Sequence, residues 1–193
     1  MYPKRTSAIR NILASTALLL AGCSSAIPNR NVVGEAFPPV KGKSLGGVEV
    51  ELPKQFENRK VILVLGYVQE TQFDIDRWSI GFFTAPFAFP PVVEVPTIPG
   101  LIPSMFSGKI DEGMRRGIPK ASWSDVVTVY GTDGSKIAEW TGTEQPRNAR
   151  IVLIDETGIV RWMYDGGFGI PPLKELLQLL QIDPKKSSIE TKQ

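Results

Sequence analysis

The chain has 193 residues, 42% of them hydrophobic and 22% charged, which is enough apolar material for one sizeable core and a single domain with appendages. It contains one cysteine and no histidine, so imidazole catalysis and histidine metal sites are excluded, and an intrachain disulfide cannot form. The formal net charge is only +2, and without a basic patch or interleaved aromatics a nucleic-acid partner has no electrostatic footprint.

Residues 1–12 carry Lys4, Arg5 and Arg10 but no acid, and an apolar run over residues 12–20 follows. That is a secretory signal layout, and the run falls well short of the roughly 20 residues a membrane-spanning helix requires. Three of the 22 bases and none of the 20 acids precede residue 23, leaving 19 against 20 and a net charge of −1 for the remainder. The ending Leu20-Ala21-Gly22-Cys23 resembles the lipobox of bacterial lipoproteins. The resemblance implies that the Cys23 sulfur takes a diacylglyceryl group before cleavage leaves it as the acylated N-terminus. Two or three acyl chains anchor a protein durably where one is marginal. The other reading is an ordinary signal peptide with a chance cysteine.

An acylated sulfur cannot attack a substrate, cycle through disulfides or ligate metal, so Cys23 offers no thiol chemistry. No cofactor is expected, and no catalytic or metal set is assigned. Ser24, rather than Asp, follows Cys23. By the sorting known for such lipoproteins this implies an outer membrane facing the periplasm if the source is Gram-negative, and otherwise the outer face of the cytoplasmic membrane. Residues 24–33 are expected to be a tether, with order beginning near Gly34.

Gly34-Glu35-Ala36-Phe37 and then a Gly46-Gly47 turn lead to an alternating strand in Val48, Val50 and Leu52, closed by Pro53. Residues 61–65 form an unbroken aliphatic run suited to a buried central strand. Thr71 and Asp74 stand at capping-box spacing for a helix whose Ile75, Trp78 and Phe82 face the sheet. Residues 81–103 hold six prolines and Phe82, Phe83, Phe87 and Phe89, and read as an irregular insertion. Its phenylalanines either form a surface for a partner, a lipid or the membrane, or fold into the core. A second helix is expected over residues 104–116, with Met105 or Phe106, Ile110 and Met114 on one side, stopped by Gly117 and Pro119.

A strand over residues 124–130 should follow, closed by Gly131-Thr132-Asp133-Gly134, and residues 136–142 fit a short helix or a strand. Residues 151–155 and 159–164 give a hairpin. Leu173, Leu176, Leu177 and Leu180 mark a closing helix after Pro171 and Pro172. Residues 182–193 are a charged tail, expected to be flexible.

This order resembles the thioredoxin-like fold in its peroxiredoxin-type layout, over residues 34–181. Locally the likeness rests on Phe37-Pro38 with Leu45-Gly46, and on Ile151 to Asp155 followed by Gly158. It implies an α/β domain with a central mixed sheet flanked by helices. Where redox members carry cysteine after the central strand, this chain reads Gly66-Tyr67-Val68-Gln69-Glu70-Thr71-Gln72, so no redox role transfers. The cis-proline of thioredoxins is also missing, its place held by Asn148-Ala149-Arg150. Trp78, the Phe/Pro stretch and Ile159-Val160-Arg161-Trp162 give a distant likeness to the mitochondrial ATP-synthase assembly factor family, which acts on membrane protein assembly.

Tyr67 and Gln69 either line a residual pocket or are solvated loop. Asp74 and Asp76, two apart on a helix, cannot share a proton or a metal. The expected function is therefore a non-enzymatic, tethered domain that binds an unidentified protein partner. The alternative is a lipid or small-molecule binder with the Phe/Pro stretch as its lid.

Overall fold

The computed structural model describes residues 26–85 and 89–181. The signal segment, Cys23, Phe87 and the charged tail lie outside the described residues. The chain builds β1 (Val40–Ser44), β2 (Glu49–Leu52), β3 (Val61–Gly66), α1 (Gln72–Phe83), β4 (Val92–Pro99), α2 (Leu101–Met105) and α3 (Ser107–Gly117). It continues through β5 (Val127–Tyr130), α4 (Gly131–Thr141), β6 (Arg150–Ile154), β7 (Val160–Tyr164) and α5 (Ile170–Gln181). Among the described residues no helix is long and apolar enough to cross a membrane.

The seven strands form one sheet in the order β2-β1-β5-β4-β3-β6-β7. β3 pairs parallel with β4 and antiparallel with β6, and all six of its residues are buried, as its unbroken apolar run required. Its side chains alternate between two cores. Val61, Leu63 and Leu65 join Val93, Val95, Val129 and Ile137 on the α4 side, while Ile62 and Val64 meet Ile75, Trp78, Leu173 and Leu176 beneath α1 and α5. Trp78 is fully buried in an aromatic nest, with Phe168 5.4 Å, Phe82 5.7 Å and Tyr164 6.1 Å from its ring centre. Gly134 lets α4 lie on the sheet, since a Cβ there would stand 3.0 Å from the Ile98 carbonyl.

The expected insertion is corrected. Residues 92–99 are a central strand, with Val93, Val95 and Thr97 buried, and Leu101 opens a short helix that includes Pro103. Pro96 survives there because the β4–β5 ladder is interrupted: it pairs Thr97–Val129 and Ile98–Tyr130, with bridges at Glu94–Val126 and Pro99–Gly131, and Pro96 in the gap has no N–H to offer.

The expected second helix is broken at Phe106, and Met105 and Phe106 are exposed. The residue of α3 that is buried is Asp111, which accepts from the Tyr130 hydroxyl at 2.7 Å. The strand expected over residues 124–130 is shorter, because residues 120–125 form a 3-10 turn, and Gly131 starts a helix instead of closing a turn. The hairpin and the closing helix stand as expected.

The tether is docked from Ile27 onward. Ile27 exchanges hydrogen bonds with Thr143, Arg30 N–H donates to the Thr141 carbonyl, and Val32 is fully buried.

Candidate functional site

β6 runs antiparallel to β3 with Arg150 opposite Leu65, so the start of β6 faces the loop that leaves β3 for α1. Tyr67 continues the β3 alternation and packs against the α4-side core. Its hydroxyl donates to the Ile137 carbonyl at 3.4 Å and is hydrogen-bonded to the Thr141 hydroxyl. Burial pushes the phenol up to about 12, although the Thr141 hydrogen bond and the nearby Arg150 charge act the other way.

The Tyr67 ring lies 4.8 Å from the Arg150 guanidinium, in cation–π contact. Arg150 is fully buried. Its Nη1 donates to the Asn148 carbonyl at 3.0 Å, and its Nη2 to Asn29 Oδ1 at 3.0 Å and to the Glu144 carbonyl. All these acceptors are neutral, and Nε–H has none among the described residues. Burial lowers the Arg150 pKa, with Tyr67 and Asp165 opposing. Arginine's very high intrinsic pKa keeps the group charged all the same.

Asp74 corrects the expected capping box. Thr71 makes no side-chain cap, and its hydroxyl donates to the Pro146 carbonyl at 2.8 Å. The Asp74 carboxylate is buried and accepts the N–H groups of Ala149 at 3.0 Å and Phe168 at 2.7 Å. It thus ties α1 to the residue that leads into β6 and to the loop before α5. Asp76 is exposed and accepts from Gln72 at 2.8 Å, so the two carboxylates do not share a site.

The candidate binding residues do not converge. Tyr67 faces inward, whereas Gln69 is exposed on the loop. Phe82 and Phe89 pack on each other at 5.2 Å near the far end of α1, a helix about 18 Å long. Phe83 is 93% exposed. A groove of about 640 Å³ lies between α1 and the segment from Gly117 to Val126, lined by Phe82, Phe83, Phe89 and Val92 together with Asp76 and Glu94. Burial, reinforced by Asp76, raises the Glu94 pKa. Among the described residues no three potential metal ligands cluster.

Sequence reasoning missed Arg150 as an internal group. The signal was a charged residue heading a run whose next four positions are all apolar, in a strand paired with the most buried one.

No protein-family model matches the chain, and no curated protein does. Solved structures do. The copper-bound Sco protein of yeast superposes with a TM-score of 0.56 at 10% identity, over 79% of this chain and 95% of that one. A thiol peroxidase from Chromobacterium violaceum gives 0.52 at 14% identity, over 81% and 91%. BsSco, a member of the Sco family of cytochrome c oxidase assembly proteins, gives 0.51 at 10% identity, over 79% and 95%. With a mixed sheet, flanking helices and these likenesses, the described residues form a thioredoxin-like domain in which Tyr67 and the buried Arg150 stand where β3 gives way to the loop before α1.

Proposed function

We propose that the chain is a membrane-anchored lipoprotein whose thioredoxin-like domain holds a protein partner, in an assembly or chaperone-like role, without thiol chemistry. The observation that carries this reading is the filled position after β3, where Tyr67 lies over the buried Arg150. Neither group is a thiol, and the Thr71 hydroxyl beside them is already committed to Pro146. The Leu20-Ala21-Gly22-Cys23 ending supports the anchor. An assembly role is also recorded for a protein of this fold, BsSco, which supports the reading by analogy of fold alone. The distant likeness to the mitochondrial ATP-synthase assembly factor family points the same way.

Binding of a lipid or small molecule is the second reading, favoured by the groove beside Phe83. Its lid is lost, since residues 92–99 belong to the sheet, and three carboxylates in the groove, Asp76, Glu94 and Asp125, disfavour an acyl chain. A photo-crosslinking residue at position 83 of the acylated protein, activated in intact membranes, tests the choice. The expected result is a discrete protein adduct that is abolished by Ile80→Asp, at an exposed α1 residue three positions before Phe83. Co-purified lipid without any protein adduct would overturn the ranking.

A further inference from the structure

The sheet gathers several loops and helix starts at one edge. Gly66 at the end of β3 pairs with Pro96, Leu65 lies opposite the first residue of β6, and Ile151 lies opposite the last residue of β7. The loop after β3, all of α2, the first turns of α1 and α5 and the segment before β6 therefore share that edge.

Most of the large apolar side chains exposed among the described residues lie there: Val68, Phe73, Leu101, Met105, Phe106 and Ile170, with Phe73, Leu101 and Met105 more than 70% exposed. The others stand away from it: Val48 in the β1–β2 turn, Ile80 and Phe83 in the second half of α1, Val33 in the entering segment and Leu179 late in α5.

The chain also enters the domain at this edge. Asn29 N–H donates to Glu144 at 3.0 Å, its side-chain amide donates to Asp165 at 2.7 Å, and its oxygen accepts from Arg150. From there the backbone runs down to Val160 and Ile159 on the far half of β7. Cys23 precedes Ile27 by four residues, at most about 14 Å of extended chain. A domain of this size has a radius of gyration of about 15 Å, so so short a leash cannot bring the opposite edge to the bilayer while Ile27 stays docked.

Charge does not select this surface. Glu70, Glu144, Lys109 and Arg147 are exposed around it, both signs mixed, so attraction to anionic lipid is not its basis.

We propose that this edge is a second membrane contact, with Phe73, Leu101, Met105 and Phe106 seated at the boundary between headgroups and acyl chains. The inference rests on acylation of Cys23, as the proposed function does. It leaves the groove beside Phe83 facing water, where a partner can reach it.

The acylated chain, reconstituted in phosphatidylcholine vesicles containing brominated lipid, provides the test. A single new cysteine, Met105→Cys or Val48→Cys, takes an environment-sensitive fluorophore, since acylation blocks residue 23. The expected result is a blue-shifted label at 105, quenched several-fold more than at 48, with no change when anionic lipid is added. Equal quenching at the two positions in a chain shown acylated by mass spectrometry would overturn this inference alone. So would a label at 105 shielded from both brominated lipid and aqueous iodide, which would place protein on that edge. An unmodified Cys23 would overturn the anchor, and both readings with it.

Discussion

Replacing Asp74 separates two roles for the same carboxylate. As the third-residue member of a capping box on Thr71 it would lose about 1 kcal/mol on change to Ala and almost nothing on change to Asn, whose amide oxygen can accept the same backbone N–H. In the structure it is instead the buried acceptor for the N–H groups of Ala149 and Phe168. Asp74→Ala strands both donors, each costing about 1–3 kcal/mol, for an expected loss of ~4 kcal/mol. Asp74→Asn keeps one oxygen and turns an amide N–H toward the other donor, for an expected ~2 kcal/mol. Urea unfolding of the mature chain, with Cys23→Ser for solubility, reads both as shifts in midpoint at unchanged slope. An Asn variant as stable as the parent, beside an Ala variant losing ~1 kcal/mol, would refute the bridging role and restore the cap.

Asp155 supplies a pH dependence. Burial would raise its pKa, but the Thr157 hydroxyl, the N–H groups of Ile159 and Thr157, and Arg161 outweigh burial and hold it at about 2. A depressed folded-state pKa means stability that is fully present above the ordinary carboxylate value and lost as pH falls through about 2. The amount is about 2 kcal/mol, and the urea midpoint of Asp155→Asn should fall less than the parent's over that interval, the remaining slope coming from groups such as Asp133, whose pKa is also lowered. Gly142→Ala should release the docked N-terminal segment: Gly142 has φ +81°, and a Cβ there would stand 2.3 Å from the Pro28 carbonyl oxygen. Trypsin should then cut at Arg30 while the body from Gly34 onward survives, at a stability cost of about 1–3 kcal/mol. Protection of Arg30 equal to the parent's would contradict the docking.

What the sequence made legible follows from periodicity. β3, β6, β7, α1 and α5 each carry an apolar pattern that matches their burial, so their order alone pointed to the right fold. β4 was hidden by Pro96 and Pro99, which read as breakers because a sequence does not reveal which side of a strand goes unpaired. Its alternation of Val93, Val95 and Thr97 was present but outweighed. The Asp74 misreading has a similar origin: capping spacing is local, while the two N–H groups it serves lie 75 and 94 residues away. Arg150 and Asn29, 121 residues apart, were beyond any local rule. Val32 looked like part of a linker until the α4-side core was there to receive it.

Under the proposed acylation of Cys23, the docked segment ahead of Val32 also sets how far the domain can stand from the membrane. A pull arriving through Cys23 loads the few hydrogen bonds of Ile27 and Asn29 before it reaches the ladder joining Gly34 and Phe37 to the β6–β7 hairpin. When those outer bonds yield, five residues pay out and the reach grows by about 17 Å. Val32 stays in its core, so the domain acquires a longer leash without unfolding.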